Sequence, residues 1–292
     1  MSYAENIKSC DDTHQLSETE NPLQVRGRIS SAVTHGPSKL SYFIYRPRNR
    51  KEQEQVVFSI HGYTRNALQH MFVLQDYAEE KGVAVVVPHF TKREFRRYQQ
   101  VRPHRNGACP NIAFMELIQD LEVTNAFDLS TIRAVGYSGG GQFLHRLMML
   151  QPDLIDRLVL FAPGWYTMPD RAHPYPLGLG RSPALGDRSL SLEGFRKADV
   201  LVLVGDKDVS RNDSLNKHED IDLAQGRTRV ARAQNWTRTM NANLPFDNQI
   251  KLQLLKGLRH GFRRNFEKKG YGQLVFDHLL RDLLPQNVSQ EN

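Results

Sequence analysis

Two kinds of apolar pattern alternate along the chain. Short unbroken or alternating apolar runs occur at 55–60, 83–87, 131–135, 158–161, 200–204 and 250–255, and each is closed by turn residues such as Pro88, Gly136 or Gly205. Runs of four to six residues of this kind predict strands, and the unbroken ones predict strands buried on both faces. Between them, apolar residues recur at helical spacing over 67–81, 111–127 (Phe114, Leu117, Ile118, Leu121), 227–243 and 271–284 (Leu274, Val275, Leu279). After residue 138, Phe143, Leu144, Leu147 and Met148 mark one face of a further helix. Ahead of all these, 25–33 and 40–45 read as two strands joined around His35-Gly36-Pro37-Ser38, an antiparallel hairpin by its turn residues. Strand and helix in alternation predict an α/β fold, a mostly parallel sheet of about eight strands with helices on both faces.

The turns at the ends of the predicted strands carry the chemistry. Gly136-Tyr137-Ser138-Gly139-Gly140 joins a strand to a helix. A sharp turn there throws the serine out of the sheet, flanking glycines let backbones pass closely, and the Gly139 amide opens a helix where negative charge is stabilised. A serine hydroxyl needs a base to take its proton, and the base needs an orienting carboxylate. Val200–Val204 ends in Gly205-Asp206-Lys207-Asp208, and Ile250–Leu255 leads to Arg259-His260-Gly261. An aspartate and a histidine thus each follow a strand. Asp206 and Asp213 lie near Asp208, and Asp170 follows the preceding strand, so each is an alternative acid.

On His61-Gly62, Gly-Tyr-Ser-Gly-Gly-Gly, the glycine-led aspartate and His260-Gly261, the chain resembles the α/β-hydrolase superfamily, and within it single-domain esterases of the poly(3-hydroxyalkanoate) depolymerase and feruloyl esterase branch. The resemblance spans roughly residues 40 to 284 and implies an α/β-hydrolase fold. It also implies a triad of Ser138, Asp208 and His260, the acid selected by its place three residues after Gly205. By the same resemblance the oxyanion hole is formed by the backbone amides of Gly139 and Tyr63, the latter from the loop after an early strand. The implied activity is carboxylic ester hydrolysis through an acyl-enzyme. A peptidase or amidase on the same triad, or a non-catalytic binding protein on a hydrolase scaffold, are the alternatives. The implied organisation is a mobile polar tail at 1–22, one catalytic domain at 23–285 and a polar tail at 286–292.

Within that domain 164–198 carries Pro169, Pro174, Pro176 and Pro183, which exclude a long helical lid and predict an irregular flap. Trp165 and Tyr166 open it and either line a substrate pocket or pack the flap. The 292 residues, 39% of them hydrophobic, suffice for one large core. The net charge of +7 is concentrated in Lys92, Arg93, Arg96, Arg97, Arg102 and Arg105, opposed by Glu94. This run reads either as a solvated loop or as a draw for an anionic substrate, with Arg97 and Arg102 as the candidate contacts. No nucleic-acid module accompanies it. Cys10 and Cys109 suggest no disulfide, and no metal or dinucleotide motif appears, so no cofactor is expected. No run approaches the roughly 18 apolar residues of a membrane span, and no basic-then-apolar leader is present, from which a cytoplasmic location is expected. The sequence leaves the oligomeric state open.

Overall fold

The computed structural model describes residues 23–49, 54–103, 109–124 and 127–283; the tails predicted at 1–22 and 286–292, and Arg105, lie outside them. In chain order the elements are β1 (Ile29–Val33), β2 (Ser41–Tyr45), β3 (Val56–Ile60), α1 (Ala67–Lys81), β4 (Ala84–Pro88), α2 (Pro110–Val123), β5 (Ile132–Tyr137), α3 (Gly139–Leu150), β6 (Ile155–Phe161), α4 (Glu193–Lys197), β7 (Asp199–Gly205), α5 (Glu219–Gln225), α6 (Arg229–Asn241), β8 (Lys251–Leu255), α7 (Phe262–Lys269) and α8 (Tyr271–Leu279).

The strands form one sheet in the order β1-β2-β4-β3-β5-β6-β7-β8. β1 and β2 make the expected hairpin, with Ile29 opposite Tyr45, and β2 lies antiparallel to β4; every later pair is parallel. β3, β4 and β5 are buried along nearly their whole length, as helices covering both faces require. α1, α7 and α8 pack against one another, with α1 on β2 and β4 and α8 on β5 and β6, while α3 packs on β3, β5 and β6 and α6 on β7 and β8.

The topology fixes where a site can form. From β3 the chain steps to β4 on one side and then crosses back to β5 on the other. The loops at the carboxyl ends of β3 and β5 therefore diverge and leave a crevice between them, the usual ligand position in an open α/β sheet. Those loops are His61-Gly62-Tyr63 and Ser138-Gly139.

Several boundaries differ from the sequence reading. β1 starts at Ile29 rather than at 25, because Gly27 turns at φ +71°. α2 ends at Val123, short of the predicted 127. The predicted terminal helix is shorter: α8 begins at Tyr271 as expected, after Gly270 at φ +67°, but stops at Leu279. α5 and α7 were not foreseen. α3, expected to be amphipathic, is buried on all sides, Gln142, His145 and Arg146 included. Its polar face is covered by the segment predicted as a flap, which holds one five-residue helix, α4, and is otherwise irregular.

Candidate active site

Ser138 stands at the β5–α3 turn with φ +51° and ψ −107°, an unfavourable conformation for a residue with a Cβ. The surroundings hold it there. Its N–H donates to the Phe161 carbonyl at 2.8 Å. A Cβ on Gly140 would lie 2.0 Å from the Ile60 carbonyl oxygen, and one on Gly136 2.5 Å from the Gly140 carbonyl. The glycines are thus a condition for the elbow to press against β3.

Ser138 Oγ lies 3.1 Å from His260 Nε2, and His260 Nδ1 lies 2.7 Å from Asp208 Oδ2. Asp208 is 1% exposed, so its carboxylate is held by protein groups rather than by water. Its second oxygen accepts from Arg229 Nη1 at 3.2 Å, and Arg229, also fully buried, reaches Ser214 Oγ through its other terminal nitrogen at 2.8 Å. This arginine was not anticipated from sequence. The turn carrying the acid is stitched to the turn carrying the histidine: Asp206 N–H donates to the Leu255 carbonyl, Lys207 N–H to the Leu258 carbonyl, and Gly257 N–H to Asp206 Oδ1. Asp206 is therefore a bridge between the loops and leaves Asp208 to face the imidazole. The other candidate acids lie elsewhere, Asp170 against His173 in the flap and Asp213 exposed beside Lys217. The Tyr137 ring stacks on His260, with centroids 5.0 Å apart.

Across the crevice, a Cβ on Gly139 would lie 3.1 Å from Tyr63 N, so the two backbones pass in contact. Neither of these amides donates to a backbone or side-chain acceptor among the described residues. The β3 loop is braced from below. His61 Nδ1–H donates to the Gly62 carbonyl at 2.9 Å, and His61 Nε2 accepts from Phe90 N–H at 3.1 Å. Burial pulls the His61 pKa down to about 3, which keeps the ring neutral, as its accepting Nε2 requires. The Tyr98 hydroxyl donates to the His61 carbonyl, and its ring stacks on Phe90. Tyr98 lies inside the basic run, whose structural anchor it supplies; sequence reading had picked out only the charges around it.

The substrate-pocket candidates are dispersed. Tyr166 is fully buried, its ring stacked 4.5 Å from Trp236, with its N–H and carbonyl both held by the Gln225 amide, so it packs the interior and lines no open pocket. Trp165 is buried beneath the Arg146 guanidinium, 4.1 Å from the ring centroid. Arg97 is exposed, and Arg102 is half-buried with an unpartnered Nε; neither touches Ser138, Asp208 or His260. Among the described residues no cluster of His, Cys, Asp and Glu has the arrangement to hold a metal ion. No helix among them is long and apolar enough to cross a membrane.

Solved structures carry the same architecture. A poly(aspartic acid) hydrolase from Sphingomonas sp. KT-1 superposes with a TM-score of 0.73 at 24% identity, covering 86% of this chain and all of that one. LpqC, a poly(3-hydroxybutyrate) depolymerase from Bordetella parapertussis, superposes with a TM-score of 0.72 at 22% identity, covering 91% of this chain and 94% of that one. The fold is that of the α/β-hydrolases. Est1E from Butyrivibrio proteoclasticus shares it at a TM-score of 0.53 and 17% identity, over 87% of this chain and 98% of that one. No family model and no curated protein matches the sequence. In this α/β-hydrolase fold the crevice between β3 and β5 is the one in which Ser138, His260 and the two free amides meet.

Proposed function

We propose that the protein is a serine hydrolase that cleaves carboxylic esters through an acyl-enzyme. The observation that carries this reading is the unbroken chain Ser138 Oγ, His260, Asp208, with the free amides of Gly139 and Tyr63 on the same crevice. His260 Nε2 takes the hydroxyl proton as Ser138 Oγ bonds to the ester carbonyl carbon. The carbonyl oxygen gains negative charge, and the two amides donate to it; loss of one such donor typically costs about 10²–10³ in turnover. The imidazolium then gives its proton to the leaving alkoxide, and the C–O bond breaks. Water repeats the sequence on the acyl group and releases the acid and free Ser138. Asp208 holds the Nδ1 proton throughout and stabilises the imidazolium.

The same machinery can cleave an amide, and the similar Sphingomonas structure is named a hydrolase of a poly(amino acid), so an amide bond is the second reading. Ester and anilide substrates with the same acyl group separate the two, the preferred one showing the higher kcat/KM. The test of both is Ser138→Ala together with a fluorophosphonate probe. The parent should be labelled on Ser138 and hydrolyse short acyl esters, while the variant should show neither and unfold at an unchanged temperature. Near-parental turnover in the variant would refute the assignment.

A further inference from the structure

The chain pairs most of its partly buried arginines with carboxylates: Arg26 and Arg46 with Glu54, Arg133 and Arg157 with Asp282, Arg211 and Arg232 with Asp222, Arg229 with Asp208. Arg65, which donates to the Phe90 and Arg96 carbonyls, is one exception, and a second region gathers several. Arg146, on the covered face of α3, is completely buried, and its guanidinium donates only to neutral oxygens, Thr167 Oγ1 and the carbonyls of Gln99 and Gln142; its Nη2 has no partner. Arg188, in the flap, donates to the carbonyls of Leu185 and Ala184 and to Asn111 Oδ1. Arg102 points a buried, unpartnered Nε into the same region. Burial pushes the Tyr175 phenol up, the charge of these three guanidiniums opposes that push, and its hydroxyl donates to the Gln100 carbonyl.

Arg188 also lines a cleft of about 870 Å³ in the flap, with Arg171 and Arg181 exposed along it. No carboxylate lies within ion-pair distance of any of these five arginines among the described residues. The one acid on the cleft lining is Asp187, and Asp170 nearby is engaged by His173. Arg171, Arg181 and Arg188 thus line the cleft against a single acid, Asp187, and their net positive field favours an anion that enters.

We propose that this cleft binds a chain bearing several carboxylates, the portion of the substrate remote from the reacting carbonyl. The proposal rests on the hydrolase reading for its purpose, and its test reads binding alone. The probe is end-capped hexa-glutamate, titrated calorimetrically against the full chain carrying Ser138→Ala, with end-capped hexa-glutamine as the uncharged control. Hexa-glutamate should bind at least tenfold more tightly than hexa-glutamine, and 0.5 M salt should abolish most of that difference. Arg171→Gln and Arg181→Gln, both at exposed positions, should each weaken hexa-glutamate at least threefold. Arg238→Gln, an exposed change on α6 that lowers net charge equally, should leave it unaltered. Equal binding of the two peptides, or an equal effect from all three variants, would overturn the proposal. So would tighter binding of a (dT)10 oligonucleotide with the same dependence on Arg171 and Arg181, which would make the cleft a phosphate-chain site. Failure of the hydrolase reading would show separately, as an unlabelled Ser138 in the parent.

Discussion

Asp208 holds two partners on one buried carboxylate, the imidazole on Oδ2 and the Arg229 guanidinium on Oδ1. Its exchange for asparagine keeps the shape and reverses the preference for the histidine tautomer that donates from Nδ1. Asp208→Asn should therefore lower kcat by about 10³–10⁴ with KM little changed. Asp206→Asn loosens the bridge to Gly257 and should cost less than about tenfold, since its side chain does not meet the imidazole. Steady-state kinetics on one ester decide it, and equal losses in the two variants would place the acid wrongly. Arg229 calls for a different measurement. Removing one member of a buried ion pair leaves the other charge uncompensated, so Arg229→Leu should destabilise the fold by about 3–5 kcal/mol. Urea unfolding reads this directly, and a change below about 1 kcal/mol would mean that Asp208 does not depend on the arginine.

The strand-turn-helix unit around Ser138 was legible because the forces that make it are local: an apolar run, a glycine-flanked turn, and apolar residues at helical spacing. The acid and histidine turns were legible for the same reason. What stayed hidden depends on parts of the chain that meet only in the fold. Phe143, Leu144, Leu147 and Met148 mark one face of α3, and nothing nearby in sequence says that the flap folds over Gln142, His145 and Arg146 on the other. Arg229 reads as one more surface charge until α6 is packed beside β7. α7 escaped because Phe262 and Phe266 are too few apolar positions to show a period, and the choice for Tyr166 between pocket and packing stayed open because its partner Trp236 lies seventy residues away. The same element suggests a test of how tightly the turn is built. Gly140→Ala would set a methyl group 2.0 Å from the Ile60 carbonyl, a backbone atom that cannot turn aside, so α3 must separate from β3. The expected loss is at least 1–3 kcal/mol, the usual cost of overpacking. It should fall on turnover as well, because the displaced helix carries the Gly139 amide away from Tyr63. A variant with parental stability and kcat would show that the elbow has slack.

Taken as a whole, the molecule encloses His61, His70 and His145 as neutral rings. Burial lowers the pKa of His61 to about 3 and holds His70 and His145 well below the ordinary 6.5. Their contacts agree: His145 Nδ1–H donates to the Gly141 carbonyl while Nε2 accepts from Thr167 N–H, and His70 lies flat on Phe262 with its Nδ1 2.9 Å from Ser59 Oγ. None can take a proton without losing a bond or desolvating a charge, but all three can once the chain unfolds. The unfolded state therefore binds more protons at any pH below the unfolded value of about 6.5, and stability must rise with pH there. The stabilisation is complete above about 6.5 and is lost progressively as pH falls toward the native values, near 3 for His61. Well below 6.5 each ring contributes a slope of about 1.4 kcal/mol per pH unit, so the three together approach about 4. His89 and His278, also lowered chiefly by burial, add in the same direction. Glu54 is lowered as a carboxylate by Arg46 and Arg26 against its burial, so it releases its stabilisation only below about 4.5, outside the histidine window. Unfolding free energies from urea titrations at half-unit steps between pH 7 and 5 should therefore fall ever more steeply, with a slope near pH 5.5 equivalent to an uptake approaching three protons or more. His61 lies under the Tyr63 loop and His145 between α3 and the flap, so activity should vanish together with the native fold and recover on return to pH 7. A stability that stayed flat from pH 7 to 5 would mean that these rings are already charged in the native protein, and the bracing of the Tyr63 loop described above would have to be redrawn.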